Sequence, residues 1–451
     1  MILKEDRRIG MANAYLESTK DLLQFISDSP TAFHAVDSSV NRLQEKGFTC
    51  LNESDPWHLI PGGKYYVTRN QSSVIAFTIP TDAPKRFMIT TSHTDSPTFK
   101  LKSNALSTSA DAYVKLNTEL YGGAILSSWF DRPLSLAGRV ILAKGGNFSA
   151  KNVKIDRDLL LIPNVCIHMN RTVNSGYNYN LAVDTAPLFA QKGENAPSVI
   201  EIVAEELHCD PSEIVGSDLY LYNRTPSSVW GASEEYFSAP RIDNLMCAYA
   251  TLQGFLQTEA QQDSVTVYYA ADNEETGSST KQGAASVMLS DTLDRIAQEL
   301  KTDKRVMLAT SMMLSADNGH AIHPNHPELS DTKNSPRMNG GVVIKFNAAQ
   351  KYTTDAVSAS IFSEICKKAD VPIQHYANRS DSPGGSTLGS ISNTQVPLMT
   401  VDIGMAQLAM HSSYETAGTH DTIYLINATK QFYHTKILAN GDGNYLITFN
   451  D

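Results

Sequence analysis

The chain has 451 residues, 41% of them apolar and 19% charged, with a net charge of −11. That composition is globular and excludes disorder as the default, and the acidic balance argues against a nucleic-acid partner, which would need clustered Lys and Arg. Five widely spaced cysteines (Cys50, Cys166, Cys209, Cys247, Cys366) form no C-x-x-C pair, and no apolar run reaches membrane length, so free thiols in a cytoplasmic protein away from membranes are expected.

Residues 17–46 carry apolar side chains at helical spacing and stop at Gly47, which predicts two short helices. Short apolar runs at 74–79 and 87–91 read as strands, and the second empties into S-H-T-D-S-P at 92–97. From about 98 to 235 the texture becomes β-rich, with strands expected at 139–143, 159–162, 199–203 and 219–222 between Gly, Pro and Asn turns. After 240, strands and helices alternate. The pattern predicts helices at 241–257, 281–300, 355–369 and 419–438, and strands at 264–271, 305–315, 342–347 and 397–403. The expected fold is α/β, a mostly parallel central sheet flanked by helices. A catalytic domain of residues 1–96 and 236–451 is interrupted by a β-rich domain at 97–235.

Polar residues stand out where an open parallel sheet places its site, beyond the C-terminal ends of strands. His93, Glu274 with Glu275, Asp317 and His411 fall there, and Asp243 opens a helix. Any one of them alone reads as a turn or cap residue. In S-H-T-D, however, His93 and Asp95 lie two apart on a strand exit and point the same way, so the carboxylate can orient a metal-bound imidazole. Glu274 and Glu275 share one turn and can divide two duties, one holding metal and the other a proton. Two histidines and three carboxylates without thiolate suit Zn²⁺, Mn²⁺ or Co²⁺ in an open site. Two ions about 3.5–4 Å apart need a shared carboxylate, and Asp243 is the natural bridge. The glycine-rich S-P-G-G-S-T-L-G-S at 382–390 lacks the G-K-[ST] ending of a phosphate loop.

Ordered motifs along nearly the whole chain resemble the aspartyl aminopeptidases, a family of dinuclear metallopeptidases. They include D-S-P-T-A-F-H-A-V at 28–36, S-H-T-D-S-P at 92–97, F-D-R-P-L-S-L-A-G-R at 130–139 and I-H-M-N-R at 167–171. R-I-D-N-L at 241–245, D-N-E-E-T-G-S at 272–278, S-A-D-N-G-H-A-I-H-P-N at 315–325 and Q-L-A-M-H-S at 407–412 complete them. The resemblance implies that His93, Asp243 and Asp317 hold one metal and Asp243, Glu275 and His411 the other, most simply zinc. It implies that Asp95 orients His93 and that Glu274 is the general base in removing acidic residues, Asp or Glu, from peptide N-termini. Lys345, at the end of an apolar strand, matches a family lysine placed to meet the substrate carboxylate. His168 matches a histidine that the insertion lends to a partner's active site in a dimer, and the family often builds dodecamers from dimers. His320 and His323 are expected to contact substrate or the ligands, because Pro324 and Pro327 disrupt a helical metal pair with His326. The competing expectations are a neutral aminopeptidase, an N-acyl deacylase of the same architecture, or a catalytically idle oligomeric scaffold.

Overall fold

The computed structural model describes residues 2–193 and 198–449, with side chains described from residue 14 onward. Among these, nine strands form a central sheet in the order 49–50, 64–69, 73–78, 264–271, 86–93, 312–316, 399–404, 342–346 and 373–377. Five of its eight neighbour pairings are parallel, and three are antiparallel. Strands such as Arg86–His93 and Ser264–Ala271 are buried along their whole length, which explains their near-continuous apolar runs. Alternate residues of Arg86–His93 face opposite layers. Met88 packs with the helices Ile242–Leu256 and Asp421–Tyr433, while Phe87 and Ile89 pack with Met288–Glu299. Each fully buried side chain of this kind contributes about 1.5–3 kcal/mol, so the two layers hold the strand ends in fixed register.

A second, six-stranded antiparallel sheet draws its strands from Thr98 to Asn223 and has its own core around Phe99, Leu116, Trp129, Val140 and Leu219. A third sheet was not anticipated. It contains Ser228–Trp230, Tyr236–Ala239, Glu415–Gly418, Ala406–Leu408 and Gly319–His320. Its strands have two to four residues, too short to leave a period in the sequence. Among the described residues no helix is long and apolar enough to cross a membrane.

Several predicted elements are corrected. Residues 199–203 belong to the helix Val199–Leu207, which begins at a reciprocal cap between Ser198 and Glu201. Val199, Ile202 and Val203 are its buried face, a helical spacing that a five-residue window reads as a strand. The expected strand 305–315 divides into a helix, Lys304–Leu308, capped by Asp303, and a strand, Met312–Ala316. The helix expected to begin at 281 begins at Met288. The last helix ends at Tyr433, and Thr435–Ala439 forms a hairpin with Tyr445–Phe449. Residues 160–162 make isolated bridges only.

Candidate metal centre

The C-terminal ends of the middle strands converge on a group of carboxylates and imidazoles. His93 is the last residue of Arg86–His93, Glu274 and Glu275 form a single turn just after Ser264–Ala271, and Asp317 follows Met312–Ala316. Asp317 is held by its N–H to the Ile403 carbonyl. Gly404 makes this approach possible, since a β-carbon there would lie 1.8 Å from the Asp317 carbonyl oxygen. Asp243 sits in the first turn of Ile242–Leu256, where the backbone leaves helical geometry. Arg241, Asn273 and His411 all adopt left-handed backbone (φ 60°, 61° and 67°) beside the site, a concentration of strain typical of functional loops.

Asp243 lies between the two imidazoles. One oxygen is 3.4 Å from His93 Nε2 and the other 3.5 Å from His411 Nε2. His93 Nε2 is also 3.5 Å from Asp317 Oδ1, and His411 Nε2 is 3.3 Å from Glu275 Oε2. The trios His93–Asp243–Asp317 and Asp243–Glu275–His411 each offer ligand atoms within 4.8 Å of one another, as does His93–Glu274–Glu275. Tetrahedral zinc with bonds of about 2.0–2.1 Å separates its ligand atoms by about 3.3–3.4 Å. The observed spacings match that figure. Among the described residues Asp243 Oδ1 and Glu275 Oε1 are buried without a hydrogen-bond partner, a costly arrangement unless a cation completes it. The donor set therefore fits zinc.

The electrostatics agree. Asp95, Asp243, Glu274, Glu275, Asp317 and Glu415 face Lys345 and the two imidazoles. Burial, with Asp317, Asp95 and Asp243 adding to it and His93 opposing, pushes the Glu274 carboxyl up to about 8. Burial and then Asp243 push Glu275 well above the carboxylate range. Glu415 rises to about 8 for the same two reasons. Burial opposes charge on His93, yet the adjacent carboxylates of Asp243, Asp317 and Asp95 carry it well above its ordinary value. A pocket this rich in negative charge must hold protons or cations.

Asp95 is a hub. Its Oδ1 lies 3.3 Å from His93 Nδ1 and accepts the Glu274 N–H at 3.1 Å. Its Oδ2 accepts the Glu275 N–H at 3.2 Å and the Tyr121 hydroxyl at 2.7 Å. The Glu274 carboxylate makes no hydrogen bond among the described residues, yet lies within reach of His93 and Glu275.

Sequence reasoning missed Glu415. Buried at 2% exposure, it accepts the Asp243 N–H at 2.9 Å and the His411 N–H at 2.7 Å, with Gln407 Nε2 at 3.2 Å. One carboxylate thus fixes the backbone of two candidate ligands. Nothing in S-S-Y-E-T-A marks it, because two of its partners are backbone N–H groups, which carry no residue signature, and Asp243 is 172 residues away. Tyr121 was missed because its partners, Asp95 and Asn273, lie 26 and 152 residues away.

Lys345 is 2% exposed. Its Nζ lies 3.3 Å from Asp317 Oδ2 and donates to the Asn318 carbonyl at 2.8 Å. Burial opposes its charge, but Asp317, with Tyr352, Cys247 and Asp402 adding to it, raises it above the ordinary lysine value. His320 and His323 stand outside the ligand group and line a separate cleft with Tyr376, Asn378, Arg379 and Gln407. His168 is exposed, in the stretch between the strands Asn147–Lys154 and Leu188–Gln191 of the six-stranded sheet, and makes no hydrogen bond or ion pair among the described residues. Within one subunit it is not brought to the cluster.

The model for aminopeptidase I zinc metalloproteases (M18) matches residues 25–433. A probable M18 family aminopeptidase 2 of Clostridium novyi is 44% identical over 430 residues, covering 93% of this chain and 99% of that protein. Its counterpart in Pseudomonas paraeruginosa is 36% identical, with 92% and 98% covered. Among solved structures, the Ape4 and Nbr1 complex superposes with a TM-score of 0.90 at 34% identity, covering 94% of this chain and 86% of that one.

Proposed function

The chain belongs to the M18 family of zinc metallo-aminopeptidases, and from that premise we propose that it hydrolyses peptides with an acidic N-terminal residue, using two metal ions. The observation that carries the two-ion reading is Asp243, whose two oxygens each face a different imidazole. His93, Asp243 and Asp317 would hold one ion, and Asp243, Glu275 and His411 the other. Bound there, the ions supply Lewis acidity, which makes water acidic enough to be deprotonated and polarises the scissile carbonyl.

The chain's own residues do the rest. Glu274, whose carboxylate makes no hydrogen bond among the described residues and lies beside the ligands, takes the proton from the attacking water and later delivers it to the leaving amine. Asp95 fixes the orientation of His93 and the turn that presents Glu274 and Glu275. The surplus of carboxylates favours a cationic α-ammonium group, which suits removal of the terminal residue only. Lys345 supplies positive charge for an acidic side chain, and His320 and His323 contact substrate in the neighbouring cleft.

Residues 1–96 and 236–451 would be the catalytic unit and 97–235 a dimerising insertion. Val165, Ile167, Met169, Leu181 and Val183 expose apolar surface around His168, which supports a homo-oligomer in which His168 of the partner subunit reaches this site. The dodecamer expected from family resemblance extends that proposal.

One observation favours the neutral-substrate reading. Lys345 is already engaged by Asp317 and a backbone carbonyl, so its charge serves a metal ligand as much as a pocket. The test of the hydrolytic reading is metal analysis of purified protein alongside aspartyl-peptide hydrolysis, with Glu274→Gln. The variant is expected to retain zinc and lose turnover by 10²–10⁴-fold. Undiminished turnover would remove Glu274 as the base.

A further inference from the structure

The segment Tyr121–Ser128 leaves the last residue of a strand in the six-stranded sheet and runs along the seam between that sheet and the metal cluster. It touches three of the loops that supply the cluster, those of Asp95, Glu275 and His411. The Tyr121 hydroxyl donates to Asp95 Oδ2 at 2.7 Å and accepts from Asn273 Nδ2 at 2.8 Å. A β-carbon on Gly122 would stand 3.1 Å from the Glu275 Cβ, and one on Gly123 would stand 3.8 Å from His411 Nδ1. The Ile125 N–H donates to the His411 carbonyl at 2.9 Å, and the Ser413 N–H donates to Ser128 Oγ at 2.8 Å.

These contacts are not interchangeable. Asp95 ties a candidate ligand of one ion to the backbone of the base and of a ligand of the other, and the carboxylate can do so in one orientation only. The Tyr121 phenol is the side chain from the second domain that fixes that orientation. It carries no charge, it is held from its other side by Asn273, and its ring lies edge-on to Tyr220 at 5.7 Å. We propose that Tyr121 is a positioning residue for the metal centre, so that the inserted domain, besides any part in assembly, sets the geometry of both metal positions through Asp95. The proposal rests on the two-ion reading of the cluster. Hydrogen-bonded groups behind metal ligands are worth about 10–100-fold in metal affinity or activity, and Asp95 reaches both halves of the site.

The test uses the full-length protein and Tyr121→Phe, which keeps the ring and removes the hydroxyl. Tyr220→Phe is the control, because the Tyr220 hydroxyl makes no hydrogen bond among the described residues. Zinc affinity is read by competition with a chromophoric chelator, cobalt geometry by the visible spectrum of the Co²⁺-loaded protein, and kcat and KM on the best substrate. Tyr121→Phe is expected to weaken zinc binding 10- to 100-fold, alter the cobalt spectrum and lower kcat at least tenfold, with KM and the melting temperature of the zinc-free protein close to wild type. Tyr220→Phe is expected to change none of these. Wild-type zinc affinity and kcat in Tyr121→Phe overturn the proposal and leave the two-ion reading intact. Zinc binding by wild type that survives His93→Ala and His411→Ala sinks that reading and the proposal with it. Should Tyr121→Phe also lose thermal stability, the cycle with Asp95→Asn decides. A double variant no weaker in zinc binding than Asp95→Asn alone supports the proposal, and additive losses overturn it.

Discussion

Lys345→Met separates the two duties that the lysine could perform. The ammonium is buried, 3.3 Å from Asp317 Oδ2 and 2.8 Å from the Asn318 carbonyl. Methionine fills a similar volume but removes the charge. If Lys345 serves Asp317 alone, the loss strikes all substrates equally, because the altered ligand is common to every reaction. If it also meets the substrate carboxylate, acidic substrates lose an additional charge-assisted hydrogen bond. That bond is worth about 1.5–3 kcal/mol. At 1.4 kcal/mol per tenfold, kcat/KM for an aspartyl substrate should fall about 10- to 150-fold more than for a leucyl substrate. The assay is a chromogenic panel of aspartyl, glutamyl, leucyl and N-acetyl substrates on wild type and variant, both zinc-loaded. An unchanged aspartyl-to-leucyl ratio would refute the role of Lys345 in selectivity. Wild type that prefers leucyl or N-acyl substrates would refute the acidic assignment itself.

Gly404→Ala should disrupt the site without altering any candidate ligand side chain, since its β-carbon would lie 1.8 Å from the backbone carbonyl oxygen of Asp317. Overpacking of this kind costs about 1–3 kcal/mol, so chemical denaturation should show at least that loss together with weaker zinc binding. His34 links stability to pH. Burial, then Lys154 and Arg241, lowers it to about 4, so its contribution is complete above pH 6.5 and disappears as pH falls through 4. From 1.36 kcal/mol per pH unit the loss is up to about 3 kcal/mol. His34→Gln should flatten that part of the stability profile measured by urea unfolding, and an unaltered profile would count against it. Chelation should lower the melting temperature, because zinc at 100 times its dissociation constant adds about 2.7 kcal/mol. A melting temperature indifferent to chelation and to zinc return would contradict the fit of the cluster to a metal.

The parts of this arrangement legible in the sequence are those written in local chemistry. His93, Glu274, Glu275 and Asp317 stand at the exits of long buried strands, where apolar runs announce the strand and a polar residue ends it. His411 and Asp243 join them as acid and imidazole types of the same chemistry. What stayed hidden depends on pairing across the chain. Glu415 binds N–H groups of residues 243 and 411, and Tyr121 reaches Asp95. The strands Ala406–Leu408 and Gly319–His320 are too short for periodicity, and Val199–Leu207 was misread because its cap lies outside the apolar run. Lys345 was visible as an anomaly, but its partner was not, since Asp317 comes beside it only when the strands are laid side by side.

The candidate ligands are scattered from residue 93 to residue 411, and this has a consequence during synthesis. A growing chain carries His93 first, and the second imidazole, at position 411, enters 318 residues later. No N-terminal fragment, whether from stalled translation or from cleavage ahead of His411, can hold the complete set. If the proposed ligand set is the working one, a hydrolase built this way is inert until its sheet has closed, and an unfinished copy cannot act on its neighbours.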